Sequence, residues 1–263
     1  MAIKPVGMRQ SAWDYLLKFT ETHEGPIRHL YNAKTDEADV TLGIGISLPS
    51  ETSAMASGIV ALCFDPATGL PATADQMKTD WLTASTMLIP GNQRSFNSAT
   101  GELSPFAQRC LMRMTLEKVR SSVQAKLVAN FTGGKAAHRD HYPDFETYPA
   151  EAQVAIVSFN YGIPAINTFP LLSIAISNGD WNSAARQCWI NKASSRKNRA
   201  HQILFTNAAR VVEQNLDFDS IADASKVDPP VIRPFVPYDV LDLDSGTTTR
   251  VTENLSNALP PSK

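Results

Sequence analysis

Hydrophobic positions recur at three- and four-residue spacing between residues 11 and 23, where Trp13, Leu16, Leu17 and Thr20 fall on one side of a helix that Gly25-Pro26 ends. Glu24 therefore stands at the exit of that helix. Beyond Tyr31 and the polar run NAKTDEAD, the segment Val40-Thr41-Leu42-Gly43-Ile44-Gly45-Ile46 alternates β-branched with small residues, as in a short strand pressed against another backbone. Residues 49–72, rich in Ser, Ala, Gly and Pro, show no period and read as irregular. Thr73-Ala74-Asp75-Gln76 has capping-box spacing and opens a helix running through Trp81. Ser104-Pro105 is a further cap, with an apolar stripe of Phe106, Cys110, Met114, Val119, Val123 and Leu127 for one long helix or two stacked ones.

The loop FTGGKAAHRDHYPDFETYP is dense in Gly, Pro and charge, and the run AEAQVAIVSFNYG after it predicts a helix apolar on nearly every side, hence central to its domain. Further helices are predicted over 170–177, 180–190 and 198–214. Past residue 225 the run DPPVIRPFVPYDV carries four prolines, which excludes a helix. The tail, 226–263, is expected to lie over the body through Val231, Ile232, Phe235, Val236 and Tyr238 or to act as a linker, with its last stretch, TTTRVTENLSNALPPSK, frayed. The whole pattern is that of a predominantly helical α+β chain.

Composition narrows the function classes. With 43% hydrophobic and 19% charged residues in 263, the chain can bury one good core or two small ones. The longest apolar stretch, 59–64, is far short of the roughly 18 residues a membrane span needs, and the opening MAIKPVGMRQ lacks the apolar segment of a Sec signal. Cys63, Cys110 and Cys188 are widely spaced, and the five histidines show no ligand spacing, so neither a disulfide scaffold nor a metal site is expected. Residues 213–263 hold nine acids against four bases, a balance of −5; with a net charge of −2 overall, residues 1–212 carry +3. That mild positive field suits approach to an anionic polymer and falls short of the dense basic face of a nucleic-acid binder.

The residues that can carry chemistry are His23-Glu24-Gly25, Tyr31 and Thr41-Leu42-Gly43-Ile44-Gly45, a carboxylic acid at a helix end just before a small hairpin bearing a hydroxyl. Here the chain resembles the phage-type lysozymes, the endolysins of tailed phages, whose first helix ends in Glu-Gly, followed by a Tyr and a Thr-Ile-Gly-Ile-Gly strand. Residues 148–212 resemble the carboxy-terminal lobe of the same family: a buried helix ending in Phe159-Asn160-Tyr161-Gly162, a Phe-containing turn, the step Gly179-Asp180-Trp181, and Asn198-Arg199-Ala200 before the last helix. The resemblance covers roughly two thirds of residues 11–212. It implies a lysozyme-like fold of two lobes over about residues 1–225, a small one with a β-hairpin and a larger helical one, with 49–72 as an insertion.

By that resemblance Glu24 is the general acid for the bond between N-acetylmuramic acid and N-acetylglucosamine in peptidoglycan, a role that demands a partly desolvated carboxyl. Glu21, one turn earlier, lacks the following Gly. Thr41 matches the family's strand threonine, which helps hold the attacking water. The second carboxylate departs from the pattern: counting from Glu24 lands on Ala33 and counting back from Thr41 lands on Thr35, so the loop is two residues longer than usual. Asp36, Glu37 and Asp39 are candidates, with Asp36 favoured, against the alternative of a solvated hairpin tip. A variant that carries its Asp after the Gly-x-Gly strand would place it at Ser47. Arg199 matches the arginine that reaches the acid from the other lobe, and Asn160 the amide that bonds an N-acetyl group of the glycan. No cofactor is implied. The implied partner is the glycan strand, with an immunity or delivery partner for 49–72 and the tail. The expected setting is the periplasm or cell wall, reached by holin release, a secretion apparatus or toxin uptake. Two alternatives stay open: a lytic transglycosylase using Glu24 alone, and a catalytically silent glycan-binding or virion structural protein.

Overall fold

Helix α1 (Gln10–Glu24) buries Ala12, Trp13, Leu16, Phe19 and Thr20 on one side, the face its spacing predicts, with Phe19 replacing the half-buried Leu17. In this computed structural model, which describes residues 4–24, 27–33, 38–86, 96–97, 102–103, 109–132, 138–163, 169–190, 195–221, 238–241 and 248–251, the protein is mixed α+β and mostly helical, with small antiparallel sheets. It divides into two compact units, residues 20–125 and residues 1–19 with 126–263.

In the unit 20–125, β1 (Ile27–Asn32), β2 (Val40–Gly43) and β3 (Ile46–Ser47) form an antiparallel sheet in that order. Gly43 and Gly45, at φ +61° and +74°, make the turn between β2 and β3 in the left-handed region that side chains disfavour. Between the pairs Ile27↔Gly43 and Tyr31↔Thr41 the register shifts, with three residues of β1, Arg28 to Leu30, set against Leu42 alone on β2, so His29 lies in a bulge.

The segment expected to be irregular holds α2 (Glu51–Met55), α3 (Ser57–Val60) and β4 (Cys63–Phe64). Elements of two to five residues complete too few turns to leave a period in the sequence. Helix α4 (Ala74–Thr86) starts at the predicted capping box, the Gln76 amide donating to Thr73 Oγ1 at 3.2 Å and the Thr73 amide to Gln76 Oε1 at 2.9 Å. It continues past Trp81, whose indole donates to the Leu48 carbonyl at 2.9 Å. Strands β5 (Phe96–Asn97) and β6 (Glu102–Leu103) pair with each other, and the predicted cap at Ser104-Pro105 and Phe106 lie outside the described residues.

The apolar stripe does not continue as helix through Cys110 and Met114. Asp80 of α4, 2% exposed, accepts the amides of Leu111 and Met112 at 2.9 and 2.7 Å, and β7 (Arg113–Met114) pairs with β4. A buried carboxylate and a strand together take amides that a helix would need. Helical structure resumes at Thr115, whose hydroxyl accepts the Lys118 amide at 3.2 Å and opens α5 (Leu116–Thr132).

The second unit is built on α6 (Ala150–Tyr161), buried from Ala150 through Asn160 as its all-round apolarity predicts. Helix α9 (Ser195–Glu213) packs on it and on α8 (Trp181–Gln187), and α8 packs in turn on α7 (Pro170–Ser177). Phe131, Tyr142, Phe145, Tyr148, Trp181 and Phe205 form an aromatic chain with centroid separations of 4.8 to 6.3 Å. Buried Gln153 accepts the Arg9 amide at 2.8 Å, just ahead of α1, and donates to the carbonyls of Gly7 and Phe145. In the tail, β8 (Tyr238–Leu241) and β9 (Thr248–Val251) form a hairpin, so 248–251, expected to fray, are paired; Val231, Ile232, Phe235 and Val236 lie outside the described residues. Among the described residues no helix is long and apolar enough to cross a membrane.

Candidate active site

Glu24 is the last residue of α1 and is half-buried. A carboxylate at a helix C-terminus faces the negative end of the helix dipole. One turn earlier, Glu21 receives a two-point contact from Arg120 of α5, Nη2 at 2.8 Å and Nε at 3.1 Å. Glu21 is thus held in an ion pair, and Glu24 closes the helix ahead of β1 in the sequence. Gly25 and Pro26 lie outside the described residues.

Thr41 sits on the central strand, opposite Tyr31 on β1 and Ser47 on β3, and is 4% exposed. Its hydroxyl donates to the Asp39 carbonyl at 3.1 Å. With its proton committed there, the oxygen's lone pairs are left to accept from a water, which would turn a lone pair of that water outward. The Asp39 amide donates to Asn32 Oδ1 at 3.0 Å and its carbonyl accepts the Ala33 amide at 2.9 Å, closing the base of the β1–β2 loop. Asp39 is half-buried; Asp36 and Glu37 lie outside the described residues. Ser47 is exposed and carries no carboxylate. The glycines flanking this strand serve the turn geometry, which their positive φ values require.

The sequence, whose histidines show no ligand spacing, suggests a surface or loop place for His29, but the structure buries it within β1. His29 is 1% exposed and its Nε2 has no hydrogen-bond partner among the described residues. Burial first, then the Arg113 and Arg28 charges, push its pKa down to about 3. The imidazole is therefore a neutral core group at ordinary pH. Burial likewise lifts the thiols of Cys63 and Cys110 to about 12, leaving them inert, and all three cysteines are free and buried.

In the helical unit, Asn160 is 1% exposed and its amide donates to the Tyr142 hydroxyl at 3.5 Å. Arg199 is half-buried in the first turns of α9. The side chain of its neighbour Asn198 accepts the Ile190 amide and donates to the Ile190 carbonyl, both at 2.9 Å, and so ties the chain after α8 to α9. His201 exchanges a 3.0 Å hydrogen bond with Ser158 inside the core and packs on Phe19 and Phe159. Among the described residues no group of three His, Cys, Asp or Glu side chains is placed to hold a metal ion. Compared with known proteins, the chain matches no family model, no curated protein and no solved structure.

Proposed function

We propose that this protein is a peptidoglycan hydrolase that cleaves the β-1,4 bond between N-acetylmuramic acid and N-acetylglucosamine, with Glu24 as general acid. The observation that carries this reading is the placement of Glu24 at the very end of α1, directly ahead of a three-stranded sheet whose central strand bears Thr41. Those are the elements, in the same order, on which the resemblance to phage-type lysozymes rests.

In this reading Glu24 protonates the glycosidic oxygen as the bond breaks. Thr41 accepts a hydrogen bond from the attacking water, its own proton being given to the Asp39 carbonyl. A carboxylate of the β1–β2 loop, Asp36 first among them, takes the water's proton. With the two carboxyls about 6.5 to 9.5 Å apart, a water fits between sugar and base and the anomeric centre inverts. By the same resemblance Arg199 is assigned to orienting the acid and Asn160 to an N-acetyl group of the glycan. The lysozyme-like arrangement of two lobes, no cofactor, and use against bacterial walls as an endolysin or a secreted effector belong to the same proposal. The decisive variant is Glu24→Gln, which keeps shape and removes the proton. Release of reducing ends from purified peptidoglycan should fall at least about a hundredfold. An anhydro product from the wild type would reassign the reaction to a lytic transglycosylase, and binding without solubilisation to a silent wall-binding protein.

A further inference from the structure

We infer that Arg120 is a positioning residue for the acid, resting on the muramidase reading: its two-point grip on Glu21 fixes the last turn of α1 and with it the carboxyl of Glu24. Both partners belong to the unit 20–125. Full burial along α1 ends at Thr20; Glu21, His23 and Glu24 are half-buried and Thr22 is exposed. A terminal turn that lies past the core frays readily, because its last carbonyls lack partners within the helix. Glu24 sits at the end of that turn.

The group that grips the turn is itself anchored. In the first turns of α5 the Thr115 hydroxyl accepts the Lys118 amide at 3.2 Å, Lys118 Nζ donates to the Ala61 carbonyl at 2.8 Å, and Val119 and Val123 are buried. Arg120 projects from this fixed stretch, and its Nη2 and Nε each donate to a different Glu21 oxygen, at 2.8 and 3.1 Å. Such a fork fixes direction as well as distance, which the point charge of an ammonium does not. Glu21 and Glu24 are three residues apart and hence neighbours on one face of the helix, so holding α1 at Glu21 sets the direction in which Glu24 leaves it. With side chains 57% and 31% exposed, the pair adds little to overall stability. Proton transfer depends steeply on the placement of the donor, so a contact too weak to hold the fold can still govern the rate.

The experiment compares full-length wild type with Arg120→Met, Arg120→Lys and Glu21→Gln, by amide hydrogen exchange and by kcat and KM on soluble, uncrosslinked peptidoglycan. In each variant the amides of Thr22, His23 and Glu24 should exchange about three- to fivefold faster, those of residues 12–16 should not change, and kcat should fall by about the same factor at unchanged KM. Arg120→Lys keeps the charge and loses the fork, so it should behave like Arg120→Met. The double variant Glu21→Gln/Arg120→Met should lose no more than either single variant, since the two residues act as one unit. Unchanged exchange at residues 22–24, an effect on KM in place of kcat, or an unchanged kcat in Arg120→Met or Arg120→Lys overturns the inference. An inactive wild type would remove the muramidase reading and this role with it, a failure set apart from the others because exchange at residues 22–24 would still report the grip of Arg120 on the helix end.

Discussion

Acidification should weaken the sheet-bearing unit through His29. The imidazole lies in the bulge of β1, out of contact with water, beside Arg28 on its own strand and Arg113 on β7. In the unfolded chain it takes a proton near its ordinary value of about 6.5; in the folded chain it does so only near 3. Between those values the unfolded state binds more protons. The stability His29 permits is thus intact above about pH 6.5, falls by about 1.4 kcal/mol per pH unit as pH drops, and levels off below 3. From pH 7 to pH 4 the loss is about 3 kcal/mol, a large part of the stability of an ordinary domain. Asp80, close to the same Arg113, has its pKa raised by burial against the lowering hydrogen bonds of Leu111 and Met112, so its contribution is lost in the opposite direction, as pH rises. Comparing wild type with His29→Gln cancels Asp80 and every other shared group. Denaturant unfolding followed by circular dichroism at the two pH values should show the variant gaining about 3 kcal/mol relative to wild type on acidification. Stability profiles that run parallel for the two proteins would refute the argument.

Three further substitutions probe how the fold is held. Asp80→Ala strips the acceptor from two buried amides and should cost about 2 to 4 kcal/mol in denaturant unfolding, with Asp80→Asn milder because one oxygen remains. Thr73→Ala breaks the capping box of α4 and should lower stability by about 1 kcal/mol, measurable as a shift in the thermal midpoint. Gly45→Ala places a Cβ at φ +74° and should cost about 1 to 2 kcal/mol, read the same way.

The sequence discloses this fold where the decisive interactions are local. Thr73 and Gln76 cap α4 through residues three apart, the bounds of α7 follow from Pro170 and the apolar run after it, and the uniform apolarity of 150–160 matches a helix buried on all sides. Where partners are distant in sequence, the reading fails. Nothing near Leu111 and Met112 announces that a carboxylate thirty residues back will take their amides, so the spacing suggests a helical stripe where the chain is extended. The hairpin at 238–251 is hidden by the prolines before it. The candidate site divides in the same way. Glu24 and Thr41 stand out by their position at a helix end and on a glycine-flanked strand, and Asp36 is reached only by counting across an expanded loop.

The central claim is that Glu24 delivers the proton that lets water cut a wall glycan, and its most direct test is to digest purified sacculi in ¹⁸O-labelled water and weigh the soluble fragments. Wild-type protein should release muropeptides carrying one heavy oxygen at the new reducing end, and Glu24→Gln should release none. Fragments released equally by both proteins, or no fragments from the wild type, would contradict it.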